Sequence, residues 1–443
     1  MTFFQLMAGD TNTSKMLIQW VLFIGIFMFV VPKLYFYQMY SKIEASARKL
    51  EGISKNGQKA VVKAAEKYGK ERKTARAMLT RFVDFFVIPP VNLDPFGIMK
   101  KLEHLVHSSE DRFKDMANEI APEAGKEESM DVYMGLQAAV EINTIAKIVR
   151  HFVELVKKFK NLQFAMILQM QLPMIEKLAE AEYKGLNAFL KGNAIGDGIG
   201  PLVVASMARE EGKELTPEAL VSKESMWDRN IFFVKAKGPG GRLGEIGDAV
   251  QMLCKKHKIA KIITVDAAQK LEGEKTGTVS EGVGVAIGGV GVQKAKIEEI
   301  AVKNKIPLEA LAIKMSPFEA ISPMPEEVLK SVNNAKILVK ERAKHRTRKG
   351  DYVIVVGVGN TCGVGNTNRD IAKTIKKIEK EAKRLKAEKE KKETKNWWLP
   401  KKRKSEAPES LTKQFWLSRL NGNPYMLDNY LKGNLTTEVK PNA

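Results

Sequence analysis

The chain has 443 residues, 44% of them hydrophobic, and a formal net charge of +21. That is enough apolar material for one or two domains with cores of their own, plus a basic remainder that calls for an anionic membrane surface, RNA or an acidic protein as partner. The two cysteines, Cys254 and Cys362, exclude a disulfide framework and, with no CxxC or Cys/His cluster around them, a structural zinc site; a reducing cytoplasm is expected.

No charge falls between Lys15 and Lys33, and the apolar run from Met16 to Val31 continues to Tyr37 before the charge at Lys42. Residues 16–40 are therefore long and apolar enough to cross a bilayer as a single-pass anchor. The alternative, a cleaved signal peptide, lacks both a basic start and a small-residue cleavage site. Asp10 and Lys15 precede the span, whereas Lys33, Lys42, Arg48 and Lys49 follow it. The positive-inside rule then puts the N-terminus outside the cell membrane and everything after about residue 40 in the cytoplasm.

A helical cytoplasmic region is expected over 41–190. Residues 42–81, rich in Lys, Arg, Ala and Glu, read as a solvated stalk or, less simply, a nucleic-acid surface. The segment RFVDFFVIPPVNLDPFGIM (81–99) suits either the headgroup layer or the core of a helical hairpin. Ile142, Ile145, Val149, Phe152, Val153 and Val156 recur at helical spacing, followed by Phe164, Ile167, Leu168 and Leu172. Met166, Met170 and Met174, four residues apart, are expected in a core.

Composition changes at Gly192. Strands around 231–234, 259–265, 308–313 and 352–358 alternate with helices up to 257, over 297–303 and from Pro325, with a glycine-rich apolar segment at 283–292. The expected architecture over 191–368 is α/β, a mostly parallel sheet covered on both faces. From Arg369 the alternation stops: residues 369–404 hold 16 Lys or Arg against 6 Asp or Glu. A basic tail over 369–443, opening as an exposed helix, could bind ribosome, RNA or a protein partner.

The chemistry-bearing residues lie at turns. Asp197 sits among glycines in GNAIGDGIG (192–200) and reads either as a helix N-cap or as a site carboxylate. Asp266 ends the apolar strand KIITVDAA, where capping is less pressing, and two carboxylates at neighbouring strand ends can divide acid and base roles. KAKGPGGRLG (235–244), with Gly240, Gly241 and Arg242, reads as an anion-binding loop or a tight turn. Glu272 and Glu274 read as solvated loop charge, with a divalent ion as the alternative.

GNAIGDGIGPLVVA resembles the opening motif of hydrogenase maturation endopeptidases. IITVDAA is similar to their second acidic strand and to the corresponding strand of the germination protease of spores. GPGGRLGEIGDAV and LEALAIKMSPFEAISPMPEEVL resemble their glycine-rich turn and late strand, loop and helix, in the same order over about 190–335. The resemblance implies a phosphorylase/hydrolase-like fold and a peptidase with Asp197 and Asp266 as catalytic acids, flanked by Gly196 and Gly198. Residues 267–310 contain no histidine, so nickel is not expected; a divalent metal at the acidic pair stays open. The strand YVIVVGVGN (352–360) comes last here instead of first, which implies a permuted sheet with Asn360, Thr361 and Cys362 brought beside Asp197. The chain as a whole also resembles an archaeal family of membrane-anchored proteins. Two functions are expected in competition: a membrane-anchored peptidase, or a non-catalytic adaptor working through its tail, either one open to homo-oligomer formation.

Overall fold

The computed structural model describes residues 11–87, 98–284 and 291–395. The first half of the chain is helical: α1 (Thr11–Gly25), a π-helical stretch (Ile26–Val30), α2 (Val31–Lys67), α3 (Arg72–Phe82), α4 (Ile98–Ile120), α5 (Lys126–Phe159) and α6 (Leu162–Phe189). The chain divides into two compact units, one of residues 1–52 with 144–177 and one of 53–143 with 178–443.

The first unit contains one helical stretch long and apolar enough to cross a membrane, and the 18-residue window that qualifies it has none of its residues buried. Trp20, Phe23, Phe27 and Phe29 are each 60% or more exposed. Below them Met39, Ile43, Ala47 and Leu50 of α2 are buried, as are Val149, Val153 and Val156 of α5 and Ala165, Leu168 and Leu172 of α6. Arg150 bridges Glu44 at 2.7 Å and Glu51 at 2.6 Å, and Lys49 meets Glu176 at 2.6 Å.

Two expectations fail in the helical half. Residues 42–81 are not a solvated stalk: they form two helices, and Ile43, Leu50, Val61, Ala65, Ala75 and Leu79 are buried. The Lys and Arg side chains occupy only the remaining faces, as an amphipathic helix requires. The methionine stripe is not core either, since Met166 is 49% and Met170 46% exposed. Leu168 and Leu172, two residues off that stripe, take the buried face instead.

In the second unit Phe82 stacks on Phe85 with ring centroids 5.3 Å apart, and Phe113 meets both edge-on. The start of the aromatic segment 81–99 is thus core, although Phe86 is 66% exposed. Residues 88–97 lie outside the described residues.

The rest of this unit is α/β, in the order α7 (Ile199–Met207), β1 (Lys213–Thr216), β2 (Ala219–Met226), β3 (Arg229–Ala236), α8 (Ile246–Lys256), β4 (Ile259–Gln269), β5 (Val279–Val283), α9 (Val292–Lys303), β6 (Leu308–Met315), α10 (Pro317–Ala320), α11 (Glu326–Lys344), β7 (Tyr352–Gly357) and α12 (Asn368–Lys395). The seven strands form one sheet in the order β1-β2-β3-β7-β4-β6-β5. β3, β7, β4 and β6 run parallel, and β1, β2 and β5 pair antiparallel at the two edges.

Strand alternation sorts the side chains between two helical layers. Ile231 and Phe233, Ile263 and Val265, and Val353 and Val355 pack with α7, α11 and the start of α12. Phe232 and Val234, Ile262, and Ile354 and Val356 pack with α8 and α9 on the other face. This period of two along buried strands is what a sheet covered on both sides demands.

The last strand, β7, occupies the middle of the sheet between β3 and β4. β1, β2 and β5 were not expected: KELT, ALVSKESM and VSEGV are too polar to read as buried strands, because each lies at or next to an edge.

Candidate functional site

The parallel strands β3, β7 and β4 end together, and the crevice over the carboxyl ends of such strands is where open α/β sheets place their sites. The turn Gly196–Gly198 and the start of α7 enter there. The approach is close enough to require glycine. A Cβ on Gly200 would lie 2.3 Å from the carbonyl oxygen of Val358 and 2.4 Å from that of Val265. Gly359, at φ +134°, would put one 2.0 Å from the Asp197 carbonyl oxygen.

Asp197 does not cap α7. The residue before that helix is Gly198, and no side chain caps it. The Asp197 Oδ2 instead accepts the backbone N–H of Asn360 at 2.8 Å, from the loop after β7. The central place of β7 therefore brings Asn360 to Asp197.

Asp266 was expected to end its strand, but β4 runs three residues further to Gln269 and pairs Asp266 with Ala312 of β6; the side chain is 2% exposed and pairs with Lys294 Nζ at 2.5 Å. Burial pushes its carboxyl up to about 6 against the attraction of Lys294, and the charge of Asp197 adds to the rise. Asp197 is held above the usual carboxylate range by burial, opposed by the Asn360 N–H and by Lys294. The charge of Asp197 thus bears on the protonation of Asp266, and the Lys294 ammonium opposes the rise of both carboxyls. Asp197 keeps some surface; Asp266 keeps almost none.

Lys294 escaped the sequence reading. It lies in the first turn of α9, where the helix dipole disfavours a cation, and that misfit was the available signal. Its neighbours are committed too: Gln293 accepts the Gly247 N–H at 2.8 Å and Lys296 holds Asp248 at 2.7 Å, so the turn that carries Lys294 is anchored.

In the loop with Gly240, Gly241 and Arg242 the donors are taken up by the chain's own carboxyl groups. The Gly240 N–H donates to Glu127 Oε2 at 2.7 Å, the Gly241 N–H to Asp131 Oδ1 at 3.1 Å, and the Arg242 guanidinium pairs with Glu127. Hydrogen bonds from Arg242 and Gly240 hold the Glu127 carboxyl below its usual range despite burial.

Thr361, fully buried, ties this loop to the one after β7: its N–H donates to the Arg242 carbonyl at 3.1 Å and its hydroxyl lies 2.8 Å from the Gly240 carbonyl. Cys362 is also fully buried. Its thiol donates to Asp131 Oδ1 at 3.3 Å, and burial with that carboxylate pushes it well above its ordinary value, which removes it as a nucleophile at neutral pH. Asn360 bridges the two groups, since its side-chain Oδ1 accepts the Cys362 N–H at 2.8 Å.

Glu274 accepts the Leu271 N–H at 2.6 Å and so closes its own turn. Among the described residues no group of three or more His, Cys, Asp or Glu is arranged to hold a metal ion. The side chain facing Asp266 is an ammonium.

A three-layered α/β domain with an acid pair and a lysine over its central strands, joined to a helical region that begins with a membrane-length helix, is the class these features define. The family comparison places the chain within that class. Residues 17–192 match the model described as "Protein of unknown function (DUF1512) N-terminal domain", and residues 195–365 match "Domain of unknown function (DUF1512) C-terminal". Together the two cover most of the chain, which belongs to this family, and they meet between Gly192 and Ile195, at the onset of the glycine-rich turn. No curated protein and no solved structure matches the chain.

Proposed function

We propose that the protein is a single-pass, membrane-anchored hydrolase, a peptidase in the first instance, whose α/β domain faces the cytoplasm. The observation that carries this reading is the buried Asp266–Lys294 pair at 2.5 Å, over the same strand ends where the Asn360 N–H holds Asp197, together with the rise of both carboxyls by burial, to which the Asp197 charge adds at Asp266. Interacting acids of this kind titrate as a unit and can hold one proton between them. Asp197, the member with surface, takes a proton from the attacking water. Asp266 keeps Lys294 in place, and the ammonium offsets the negative charge that develops on a scissile carbonyl oxygen. The resemblance to aspartate-dependent maturation and germination peptidases agrees with this division of labour.

The test is cleavage of a mixed peptide library by the full chain in detergent or nanodiscs, wild type against Asp197→Asn and the double variant with Asp266→Asn. Loss of cleavage with the fold intact supports the reading; undiminished cleavage by the double variant ends it.

A second reading rests on α12. Ile371 and Ile378 are buried in the sheet's helical layer, while Lys376, Lys383, Arg384 and Lys386 are not. The helix thus docks by its first turns and presents cations beyond them. As an adaptor helix it would bind RNA, ribosomes or an acidic protein with affinity that falls steeply with salt. Truncation at Arg369 abolishes such binding if the reading holds and leaves it unaltered if it does not.

A further inference from the structure

The turn joining α5 and α6 has no role in the acid-pair site, and its chemistry is unusual. The sequence VKKFKN (156–161) puts Phe159 at the apex of a helical hairpin, 66% exposed, with Lys157, Lys158 and Lys160 around it. Lys157 is 64% exposed and its nearest acid, Glu154, is 3.9 Å away one turn back; Lys158 Nζ lies 5.6 Å above the Phe159 ring. On the α6 side Met166, Ile167 and Met170 are 49%, 52% and 46% exposed. Soluble proteins bury such residues or use them.

The position of this tip along α2 says what it meets. Arg150 is level with Glu44 and Glu51, and Glu176 with Lys49. Phe152 and Phe164 pack across the hairpin with centroids 5.8 Å apart, so α5 and α6 run antiparallel. Among the described residues of this unit, the buried apolar positions of α2 in the direction of the span from Arg150's level are Ala47, Ile43 and Met39, alongside Val153 and Val156 of α5 and Ala165, Leu168 and Leu172 of α6. Nine residues from Arg150 to Phe159 advance about 13 Å. That brings Phe159 to the level of about residue 38 of α2, at the end of the apolar run and just before the charge at Lys42. An exposed aromatic ring amid lysines at that level is the composition of an interfacial anchor.

We infer that the α5–α6 turn seats in the headgroup layer of an anionic bilayer, Phe159 entering the acyl boundary and Lys157, Lys158 and Lys160 facing lipid phosphates. The membrane helix and this turn then form two points of attachment, which restricts rotation of the first unit about the span. The inference rests on residues 16–40 being a bilayer span, and the experiment separates the two.

The full chain carrying Cys254→Ala, with a nitroxide on Phe159→Cys, is reconstituted in nanodiscs of mixed phosphatidylcholine and phosphatidylglycerol. Collisions with dissolved oxygen and with an aqueous nickel chelate are compared with those of a label on Lys349→Cys, whose side chain is 83% exposed in the wild type. The expected result is loss of chelate collisions and gain of oxygen collisions at 159 alone. A second variant replacing Lys157, Lys158 and Lys160 by Gln should restore chelate access at 159. Water-like collisions at 159 in the anionic nanodiscs overturn the inference and leave the face to a protein partner. Equal immersion with the lysines replaced overturns the role given to lipid charge. Alkaline carbonate extraction of membranes reports on the span alone: retention of the chain there with water-like collisions at 159 is failure of this inference only, whereas release of the chain is failure of the span.

Discussion

Two acid pairs flank the loop after β7, and they differ in how their charge is met. Glu127 and Asp131 reach from α5 into the loop after β3, where Glu127 has a guanidinium and an N–H and Asp131 an N–H and a thiol. Asp197 and Asp266 have one N–H and one ammonium between them apart from local backbone. The first pair staples a helix to a loop. In the second, Asp266 has its ammonium and Asp197 a single backbone N–H, and buried carboxyls with few donors are the kind that acid–base chemistry uses. The residue types are the same; the donors around them decide the role.

The sharpest way to break this contrast is at its shared support. Gly200→Ala forces a Cβ against two carbonyl oxygens and should cost about 3 kcal/mol, read as a lowered denaturant midpoint, with loss of both loops' order. On activity the largest effect belongs to Asp197→Asn, a drop on the order of 10²- to 10⁴-fold in kcat, while Glu127→Gln should stay within about tenfold when measured on folded protein.

Acidity sharpens the comparison further. If Asp266 must be ionised, kcat/KM rises with pH through an apparent value of about 6. Lys294 holds that value down, so Lys294→Met should move the acid limb upward as well as lower the plateau.

Asp131 supplies the stability counterpart. Burial pushes its carboxyl up to about 7. Its folded value lies above the unfolded one near 3.8, so the folded chain binds the extra proton between about pH 4 and 7 and stability from this group is lost as pH rises through 7. Asp131→Asn should therefore flatten the fall in melting temperature between about pH 4 and 7. A variant curve parallel to wild type would place the proton elsewhere. The smallest effect is expected at Cys362: in the native state a thiol reagent should leave it unmodified, and Cys362→Ala should change turnover by no more than about twofold.

Much of this arrangement was legible in the chain. The apolar span, the α/β alternation after Gly192 and the placing of Asp197 in a glycine turn follow from local periodicity and glycine spacing, which need no partner residue to be read; Asp266 was expected at a turn and lies instead inside β4, which runs on to Gln269. Lys294 was not assigned a role, because a lysine in the first turn of a helix signals an acid nearby without saying which carboxylate it meets. Nor was the occupancy of the Gly240–Arg242 loop legible, because its anions arrive from α5, more than a hundred residues earlier. β1, β2 and β5 escaped because edge strands carry polar residues on the side facing water.

By itself, then, the sequence determined which segments are apolar, where the helices and central strands run, and which turns must be built from glycine, since these depend on each residue's own volume, charge and backbone freedom. The tertiary structure alone decided that β7 lies between β3 and β4, that Asn360 meets Asp197 and Lys294 meets Asp266, and that Met166 and Met170 face outward. Those are consequences of which elements pack side by side, and the ionisation of a carboxylate depends on distances that no stretch of chain contains.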